Sequence, residues 1–254
     1  MMTVFAFLRR REPPLSSVPL PHRLIAEALG VCLIVFFGPG SAVISEYRGG
    51  AISHEGISAC NGLVVMGLIY ALGHVSGAHF NPGVTISFAL VRHFSVRDIL
   101  PYIVAQFVGG IAGAALLLAL FGDVANLGTT LPSGSEAQSF GTEVVLTFML
   151  MFVIMAVATD ARAAGQTAAI AIGATVGLDV LLGGPISSAS MNPARSLGPA
   201  VVSGELTSLW LYLVAPPLGA LLGAAVYQFI RGDHFLGGET HEHQADSSPV
   251  SLHR

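Results

Sequence analysis

The sequence predicts an all-α membrane protein with six transmembrane helices and two additional half-helices, arranged as an inverted 3+3 repeat. The 254 residues are 53% hydrophobic and only 10% charged, with a mean hydropathy of +0.72, whereas a soluble domain carries about 25% charged residues. Six apolar stretches have the length that a spanning helix needs, which is about 20 residues. Two short segments end in Asn-Pro, at Asn81 and at Asn192, 111 positions apart.

The apolar stretches predict where the helices lie. The two short pieces, 84–90 and 197–202, follow the Asn-Pro pairs. Because Pro favours the first turn of a helix, each is expected to be a half-helix that enters the membrane and returns. The apolar run before the N-terminal Arg cluster is too short for a signal peptide, so the first span is expected to be an uncleaved anchor. The six spans are predicted near residues 24–44, 56–72, 99–121, 140–158, 167–182 and 208–230.

The distribution of Arg predicts which side of the membrane each loop faces. The chain has no Lys, and short loops that are rich in Arg face the cytoplasm. With six spans, only Arg48 and Arg195 fall on one side. Both termini are therefore expected to be cytoplasmic, with Asn81 entering from the cytoplasm and Asn192 from outside. The opposite side carries Arg9, Arg10, Arg11, Arg23, Arg92, Arg97, Arg162, Arg231 and Arg254.

A weak internal repeat supports the inverted arrangement. Glu27 in the first span corresponds to Glu143 in the fourth, and Gly109 in the third corresponds to Gly219 in the sixth. Three spans per copy is an odd number, so the second copy must insert upside down, as in known transport proteins. The predicted division is a cytoplasmic segment 1–21, a channel domain 22–231 with repeats at about 22–121 and 139–231, and a disordered cytoplasmic tail 232–254.

The residues around each Asn are predicted to form the centre of a pore. Non-helical backbone at membrane depth is tolerated only if it is buried or lines a water-filled cavity. Half-helices that point their N-termini at this centre bring partial positive charge and free N–H groups, which disfavour cations and protons. The predicted lining carbonyls are those of Gly77, Ala78, His79, Phe80, Ser188, Ser190 and Met191, and the predicted pore centre comprises Asn81, Pro82, Gly83, Asn192, Pro193 and Ala194.

Two charged residues in the second repeat require an explanation, because charges within a membrane are costly and usually functional. Arg195 follows Asn192 by three residues. It is expected to narrow the pore near the outer side and to offer several donors to a solute oxygen. Asp179 lies in the outer third of the fifth span, and it faces either the protein interior or the pore mouth.

The remaining polar residues of the spans are interpreted as support for the turns. Glu27 and Glu143 occupy matching positions and are expected to accept hydrogen bonds from the re-entrant backbone, in preference to relaying protons. His74 and His79 bracket the first turn, and we interpret them as polar lining and loop support on the cytoplasmic side. No metal site is predicted from them.

The segments GHVSGAHFNPG and SSASMNPARSLGPA closely resemble the two Asn-Pro-Ala boxes of the aquaporin, or major intrinsic protein, family. The resemblance covers about residues 22–231, and it implies the aquaporin fold and a homotetramer with one pore per protomer. The first box departs from the pattern at Gly83, which replaces Ala, and we expect permeation to survive this change. Counted from the boxes, the four positions of the family's selectivity filter fall on Asn61, Val180, Ala189 and Arg195.

The implied filter is wider than that of a strict water channel, which typically has an aromatic residue at the first position and His at the second. Here these positions are Asn61 and Val180. Glycerol facilitators usually carry Asp after the filter Arg, whereas this chain has Ser196. The segment ATVGLDVLLGGPISSASMNPARSLGPAVVSG is similar to the nodulin-like intrinsic proteins, a group that passes water, glycerol and uncharged metalloid hydroxides such as boric, silicic or arsenous acid.

The predicted function is therefore a passive channel for small uncharged solutes that excludes protons and ions, in a plasma or inner membrane. One alternative is an orthodox water-selective aquaporin. Another is a secondary transporter, but ion coupling would require several carboxylates near the midplane, and the spans offer few besides Glu27, Glu143 and Asp179. An enzyme is not expected, nor is a cofactor, a metal or a nucleic acid. The expected partners are neutral solutes, the lipid bilayer and further copies of the chain.

Overall fold

The computed structural model describes residues 18–159 and 167–232. The described residues form six long helices, each long and apolar enough to span a membrane, and two short ones. In chain order they are α1 (Leu20–Tyr47), α2 (His54–Ser76), the short α3 (Pro82–Leu90), α4 (Ile99–Phe121), α5 (Glu136–Thr159), α6 (Ala168–Ser187), the short α7 (Pro193–Ser203) and α8 (Leu209–Arg231). The six predicted spans and the two half-helices are confirmed. Most of the predicted segment 1–21, nearly all of the tail 232–254, and Arg162 lie outside the described residues.

The helices extend beyond the predicted spans because hydropathy does not detect polar helix ends. Helix α5 begins at Glu136 and α6 continues to Ser187, so both exceed the bounds predicted from apolar residues alone. The half-helices begin at Pro82 and Pro193, earlier than predicted, because the Asn before each Pro caps the helix directly. Asn is among the best N-cap residues, and Pro is well suited to the first helical position.

The two repeats interlock at the half-helices. Within each repeat the first long helix packs on the second and the third, namely α1 on α2 and α4, and α5 on α6 and α8. The half-helices cross between repeats, since α3 packs chiefly on α8 and α7 packs chiefly on α4. Each Asn-Pro turn is thus positioned by the opposite repeat, and this arrangement brings the two turns to one place.

Backbone contacts between long helices fix the spacing of α1 and α4 and the spacing of α5 and α8. A Cβ atom on Gly109 would overlap the carbonyl of Ala28, and one on Gly219 would overlap the carbonyl of Val144. Helices α1 and α4, and likewise α5 and α8, therefore approach as closely as glycine allows, which is typical of membrane helices. A buried Glu immediately precedes each of the two carbonyl residues, so this contact also fixes the positions of the two acids.

Candidate permeation pathway

Each Asn of the Asn-Pro pairs caps its own half-helix. The side-chain oxygen of Asn81 accepts a hydrogen bond from the Gly83 amide at 2.8 Å, and that of Asn192 accepts one from the Ala194 amide at 3.0 Å. Both Asn residues have extended backbone, with φ of −154° and −152°. The side-chain oxygens are thereby committed to the helix ends, and the side-chain N–H groups remain free for other partners.

The side-chain amides also connect the two repeats. Asn81 Nδ2 donates to the carbonyl of Met191 at 2.7 Å, and Asn192 Nδ2 donates to the carbonyl of Phe80 at 2.8 Å. Each Asn thus binds the residue that precedes the other Asn. The carbonyls of Phe80 and Met191, which were predicted to face the solute, are engaged by these amides. Since an Asn amide has two donors, one N–H of each Asn is left for the cavity.

The backbone ahead of each Asn is strained in the same pattern. In the first re-entrant segment (residues 77–81) Ala78 and Phe80 both have φ of 49°, and in the second (residues 188–192) Ala189 and Met191 have φ of 44° and 55°. These are left-handed conformations that cost a non-glycine residue about 1 kcal/mol or more. Both segments therefore require support from the surrounding structure.

Glu27 supports the first re-entrant segment. It is fully buried, and it accepts hydrogen bonds from Ser76 Oγ at 2.7 Å, from the His79 amide at 3.0 Å and from the Phe80 amide at 2.6 Å. Gln106 of α4 donates a further bond to its carboxylate at 2.8 Å. A carboxylate can accept several such bonds at once, so one side chain binds two consecutive amides of the segment.

Glu143 supports the second segment in the same way. It is also fully buried, and it accepts hydrogen bonds from Ser187 Oγ at 2.7 Å, from the Ser190 amide at 2.8 Å and from the Met191 amide at 2.7 Å. Both acids that the sequence analysis assigned to loop support therefore bind the backbone of the loops.

Sequence reasoning missed three residues that support the same turns. Tyr102 donates its hydroxyl hydrogen to the Ser76 carbonyl, and Tyr212 donates to the Ser187 carbonyl, both at 2.9 Å. Gln106 was also missed. The two Tyr residues are 110 positions apart, the same offset as Gly109 and Gly219, so the repeat itself carried a signal that would have found them.

The two His residues of the first turn have different roles. His79 is buried and lines the cavity; its Nδ1 lies 3.2 Å from Thr85 Oγ1, and its ring centroid lies 4.7 Å from that of Phe94. His74, in contrast, is exposed on α2, so its predicted role in loop support is not what the structure shows. The turn faces inward through Ser76, and a helical residue two positions earlier points to the opposite side.

A narrow cavity of about 160 Å³ runs past both Asn side chains. It reaches from Arg195 at one end to Ala158 and Ala168 at the other, and residues of both re-entrant segments lie between them. Pro82, Gly83, Pro193 and Ala194 lie behind this wall in the first turns of the half-helices. The lining residues are Ile34, Asn61, Val65, Ile69, Gly77, Ala78, His79, Phe80, Asn81, Val84, Phe88, Leu150, Ile154, Ala158, Ala168, Ile172, Val176, Ala189, Ser190, Met191, Asn192 and Arg195.

Three of the four predicted filter residues line the cavity. They are Asn61, Ala189 and Arg195, and we call these three the outer ring. Val180 does not line the cavity; it is buried in the hydrophobic cluster that also contains Ala189. One turn earlier on the same helix Val176 forms the wall in its place.

Ser188 likewise does not line the cavity, although its carbonyl was predicted to do so. Its Oγ donates to the Leu131 carbonyl at 2.9 Å and accepts from the Leu131 amide at 3.1 Å. It therefore connects the second re-entrant segment to the loop between α4 and α5.

The same loop orients Arg195. The guanidinium Nη1 donates to the Gly128 carbonyl at 3.0 Å, and the side chain is 9% exposed. Gly128 ends a short turn in which Asn126 and Leu127 have left-handed backbone. Since a guanidinium has five N–H donors, most of the Arg195 donors remain available to a molecule in the cavity.

Asn61 lines the cavity and carries an acceptor. Its Nδ2 donates to the Ile57 carbonyl at 2.9 Å, which identifies the other amide atom as the oxygen. Among the described residues Oδ1 receives no hydrogen bond. It lies against Gly38 of α1, where a Cβ would come to 2.5 Å from this oxygen, so the glycine makes room for the carbonyl.

Two half-helices that meet end to end within six long helices, with a narrow cavity along the junction, define a multi-pass membrane channel. A family model described as Major intrinsic protein matches residues 14–227. The chain belongs to the major intrinsic protein, or aquaporin, family, and it is a channel for small neutral solutes. The resemblance inferred from the two boxes is thereby confirmed.

Individual relatives agree with this assignment. The chain is 48% identical over 223 residues to Nodulin-26 of Glycine max, an alignment that covers 87% of this chain and 82% of the relative. It is 48% identical over 216 residues to Aquaporin NIP1-1 of Zea mays, covering 85% and 77%. The solved structure of the aquaglyceroporin from Plasmodium falciparum superposes with a TM-score of 0.75 at 26% identity, covering 84% of this chain and 97% of that one.

Proposed function

We propose that the channel passes water, glycerol and uncharged metalloid hydroxides such as boric, silicic or arsenous acid. The observation that supports this most is the composition of the outer ring. Besides Arg195, the outer ring contains Asn61 and Ala189, which are small or medium in size, and Val180 does not line the cavity. A ring without an aromatic or a His side chain leaves room for solutes larger than water.

The polar groups of the pathway suit a solute that carries hydroxyl groups. Arg195 offers donors and Asn61 Oδ1 offers an uncommitted acceptor at the outer ring, while Asn81 and Asn192 offer donors at the centre. A polyol or a metalloid hydroxide both donates and accepts hydrogen bonds, so it can replace its water partners at each of these places. The apolar wall between them, including Val176, favours compact neutral molecules.

Ions and protons are excluded electrostatically. Both half-helix N-termini point at the centre, and each carries about half a positive charge together with unpaired N–H groups. Arg195 adds a full positive charge at the outer ring. No acidic side chain lines the cavity in the described part of the chain, so a cation finds no counter-charge there. This is how aquaporin-type pores reject cations and protons.

The membrane placement follows from the Arg distribution. Both termini face the cytoplasm, the first re-entrant segment enters from that side, and the second enters from outside. The channel domain comprises 22–231, with repeats at about 22–121 and 139–231. It assembles as a homotetramer with one pore per protomer in a plasma or inner membrane, and its exposed apolar helix faces, for example at Leu63 and Phe229, contact lipid or neighbouring copies.

A permeability panel in proteoliposomes tests this function. Stopped-flow light scattering would be measured for water, glycerol, urea, boric acid, silicic acid and arsenous acid. Asn61→Trp narrows the outer ring, so we expect it to reduce glycerol and boric acid flux about tenfold while water flux falls about twofold, since one misfit of this kind is worth roughly 1.4 kcal/mol. The control Leu63→Trp places the same indole side chain on the exposed face of α2. It should leave the ratio of each solute flux to the water flux unchanged.

Three results would change the proposal. Equal loss of water and glycerol flux in Asn61→Trp would remove Asn61 from the filter. Wild-type protein that passes water and none of the larger solutes would favour the water-selective alternative. Flux that depends strictly on a proton or sodium gradient would favour a secondary transporter. The aquaglyceroporin of known structure leads us to expect glycerol flux.

A further inference from the structure

Asp179 is a buried acid on α6 that the proposed pathway does not use. Its side chain is 4% exposed, and it does not line the cavity. Its Oδ2 atom is buried and has no hydrogen-bond partner among the described residues. Of the two directions that the sequence left open, the protein interior is the one that the structure shows.

Among the described residues, the surroundings of α6 offer this acid no cation. Helix α6 packs on α2 and α5. On α5, the buried titratable residue is Glu143, and it is itself an acid. On α2, His54 binds a backbone carbonyl at the outer end of α6, and the Arg195 guanidinium is directed to the Gly128 carbonyl. The other titratable groups of these two helices lie at exposed helix ends or on helix surfaces that face away from the protein interior: Glu55, Cys60, Tyr70, His74 and Glu136.

The repeat shows that the fold does not require an acid here. The position of Asp179 in repeat one, 111 residues earlier, is Leu68, a buried core residue. Conversely, repeat one has a donor that repeat two lacks. Gln106 donates to Glu27, and the corresponding residue of repeat two is Pro216, which has no side-chain donor. Compared with repeat one, repeat two therefore has one more buried carboxyl group and lacks one donor to its supporting acid.

We propose that Asp179 is a positioning residue whose carboxyl group is neutral in the folded channel, and whose ionisation displaces the second re-entrant segment. An unpaired carboxylate at membrane depth is costly. A negative charge on Asp179 would also repel Glu143, whose carboxylate binds the amides of Ser190 and Met191. That segment carries Ala189 of the outer ring, so its displacement would alter permeation.

Infrared difference spectroscopy tests the protonation state directly, without any assumption about transport. We expect the wild-type protein in lipid at neutral pH to show the carbonyl stretch of a protonated carboxyl group, and Asp179→Asn to lose it. Asp98→Asn is the matched control, because Asp98 is ion-paired with Arg23 at 3.1 Å and should contribute no such band. Identical spectra for wild type and Asp179→Asn would overturn the proposal.

The pH profile of flux tests the positioning role, and this readout rests on the proposed function. Between about pH 5 and about pH 10, wild-type glycerol flux should fall roughly fivefold, the size of one moderate like-charge interaction. Asp179→Asn and Asp179→Leu, the residue of repeat one, should keep the low-pH flux throughout. A flat wild-type profile, or a wild-type profile in both variants, would overturn it. If wild type shows no facilitated flux at all, the proposed function fails, and the infrared result still decides the state of Asp179.

Discussion

The two re-entrant segments have the same design but unequal support. In the first, Glu27 receives four hydrogen bonds, the fourth from Gln106. In the second, Glu143 receives three, because Pro216 stands where repeat one has Gln106. The three shared donors are one Ser hydroxyl and two consecutive amides. These three define what the turn requires, and the fourth is an addition of repeat one.

The two repeats also differ in which partner is glycine at the contact between each half-helix and the long helix that it packs on. A Cβ on Gly83 would lie 3.3 Å from Pro217 Cα and 3.5 Å from Ala220 Cβ, while a Cβ on Gly110 would overlap the Ala194 carbonyl. Each contact thus pairs one Gly with one Ala, in opposite order: Gly83 with Ala220, and Ala194 with Gly110. The departure of the first box from Asn-Pro-Ala is therefore matched by the residue that it packs against.

The largest effect should come from the shared support. In Glu27→Gln or Glu143→Gln one carboxylate oxygen becomes an amide nitrogen, so one backbone N–H of the segment loses its acceptor. A buried unsatisfied donor costs about 1–3 kcal/mol, and we expect both variants to lose about tenfold of their water and glycerol flux and to melt at a lower temperature. Glu136→Gln, at the exposed start of α5, is the control. Wild-type flux in either variant would show that the carboxylates are not required.

A smaller effect should come from the paired small residues. Gly83→Ala adds a methyl group at a tight contact and should cost about 1 kcal/mol of stability, as modest overpacking does, with flux within about twofold of wild type. Combining it with Ala220→Gly reproduces the order found in repeat two. Thermal unfolding of the four proteins of this double-mutant cycle should give a favourable coupling of about 1 kcal/mol. If the stability changes of the two single variants simply add in the double variant, Gly83 and Ala220 do not act as a pair.

The smallest effect should come from Gln106→Leu, which makes the first turn resemble the second. The variant loses the hydrogen bonds from Gln106 Nε2 to Glu27 and to Thr85 Oγ1. This loss is partly offset, because the buried Gln106 Oε1 has no partner among the described residues. We expect the folded protein to lose about 0.5 kcal/mol of stability and to keep wild-type flux, with stability and flux both measured beside Glu27→Gln. If Gln106→Leu is as harmful as Glu27→Gln, the fourth donor is essential and the comparison of the two turns is wrong.

The sequence was sufficient for the fold because its signals are local. Apolar length reveals a spanning helix, and Asn followed by Pro marks the start of a half-helix, so Asn81 and Asn192 were found without a structure. Helix ends such as Glu136 were missed because polar first turns lower the hydropathy. The supporting Tyr102 and Tyr212 were missed because a buried hydroxyl in an apolar helix resembles an ordinary aromatic residue until its partner carbonyl is known.

The candidate site was predictable only where position along the chain determines the direction of a side chain. Asn61 and Ala189 were placed correctly at the cavity by counting from the boxes. The same counting put Val180 in the filter, whereas on α6 it is Val176 that lines the cavity, because counting along the chain does not show which helical residues neighbouring side chains cover. For His74, the helix phase decided its exposure, and spacing from the turn gave no information about that phase.

The most direct test of the central claim is cysteine accessibility, because it asks whether the cavity past Ala189 is the permeation pathway. The background would be Cys32→Ala with Cys60→Ala, since both native cysteines are free. In that background Ala189→Cys should lose nearly all water and glycerol flux when a small hydrophilic thiol reagent is added. Val180→Cys, which does not line the cavity, should keep its flux. Block of Val180→Cys together with full activity of Ala189→Cys would contradict the account.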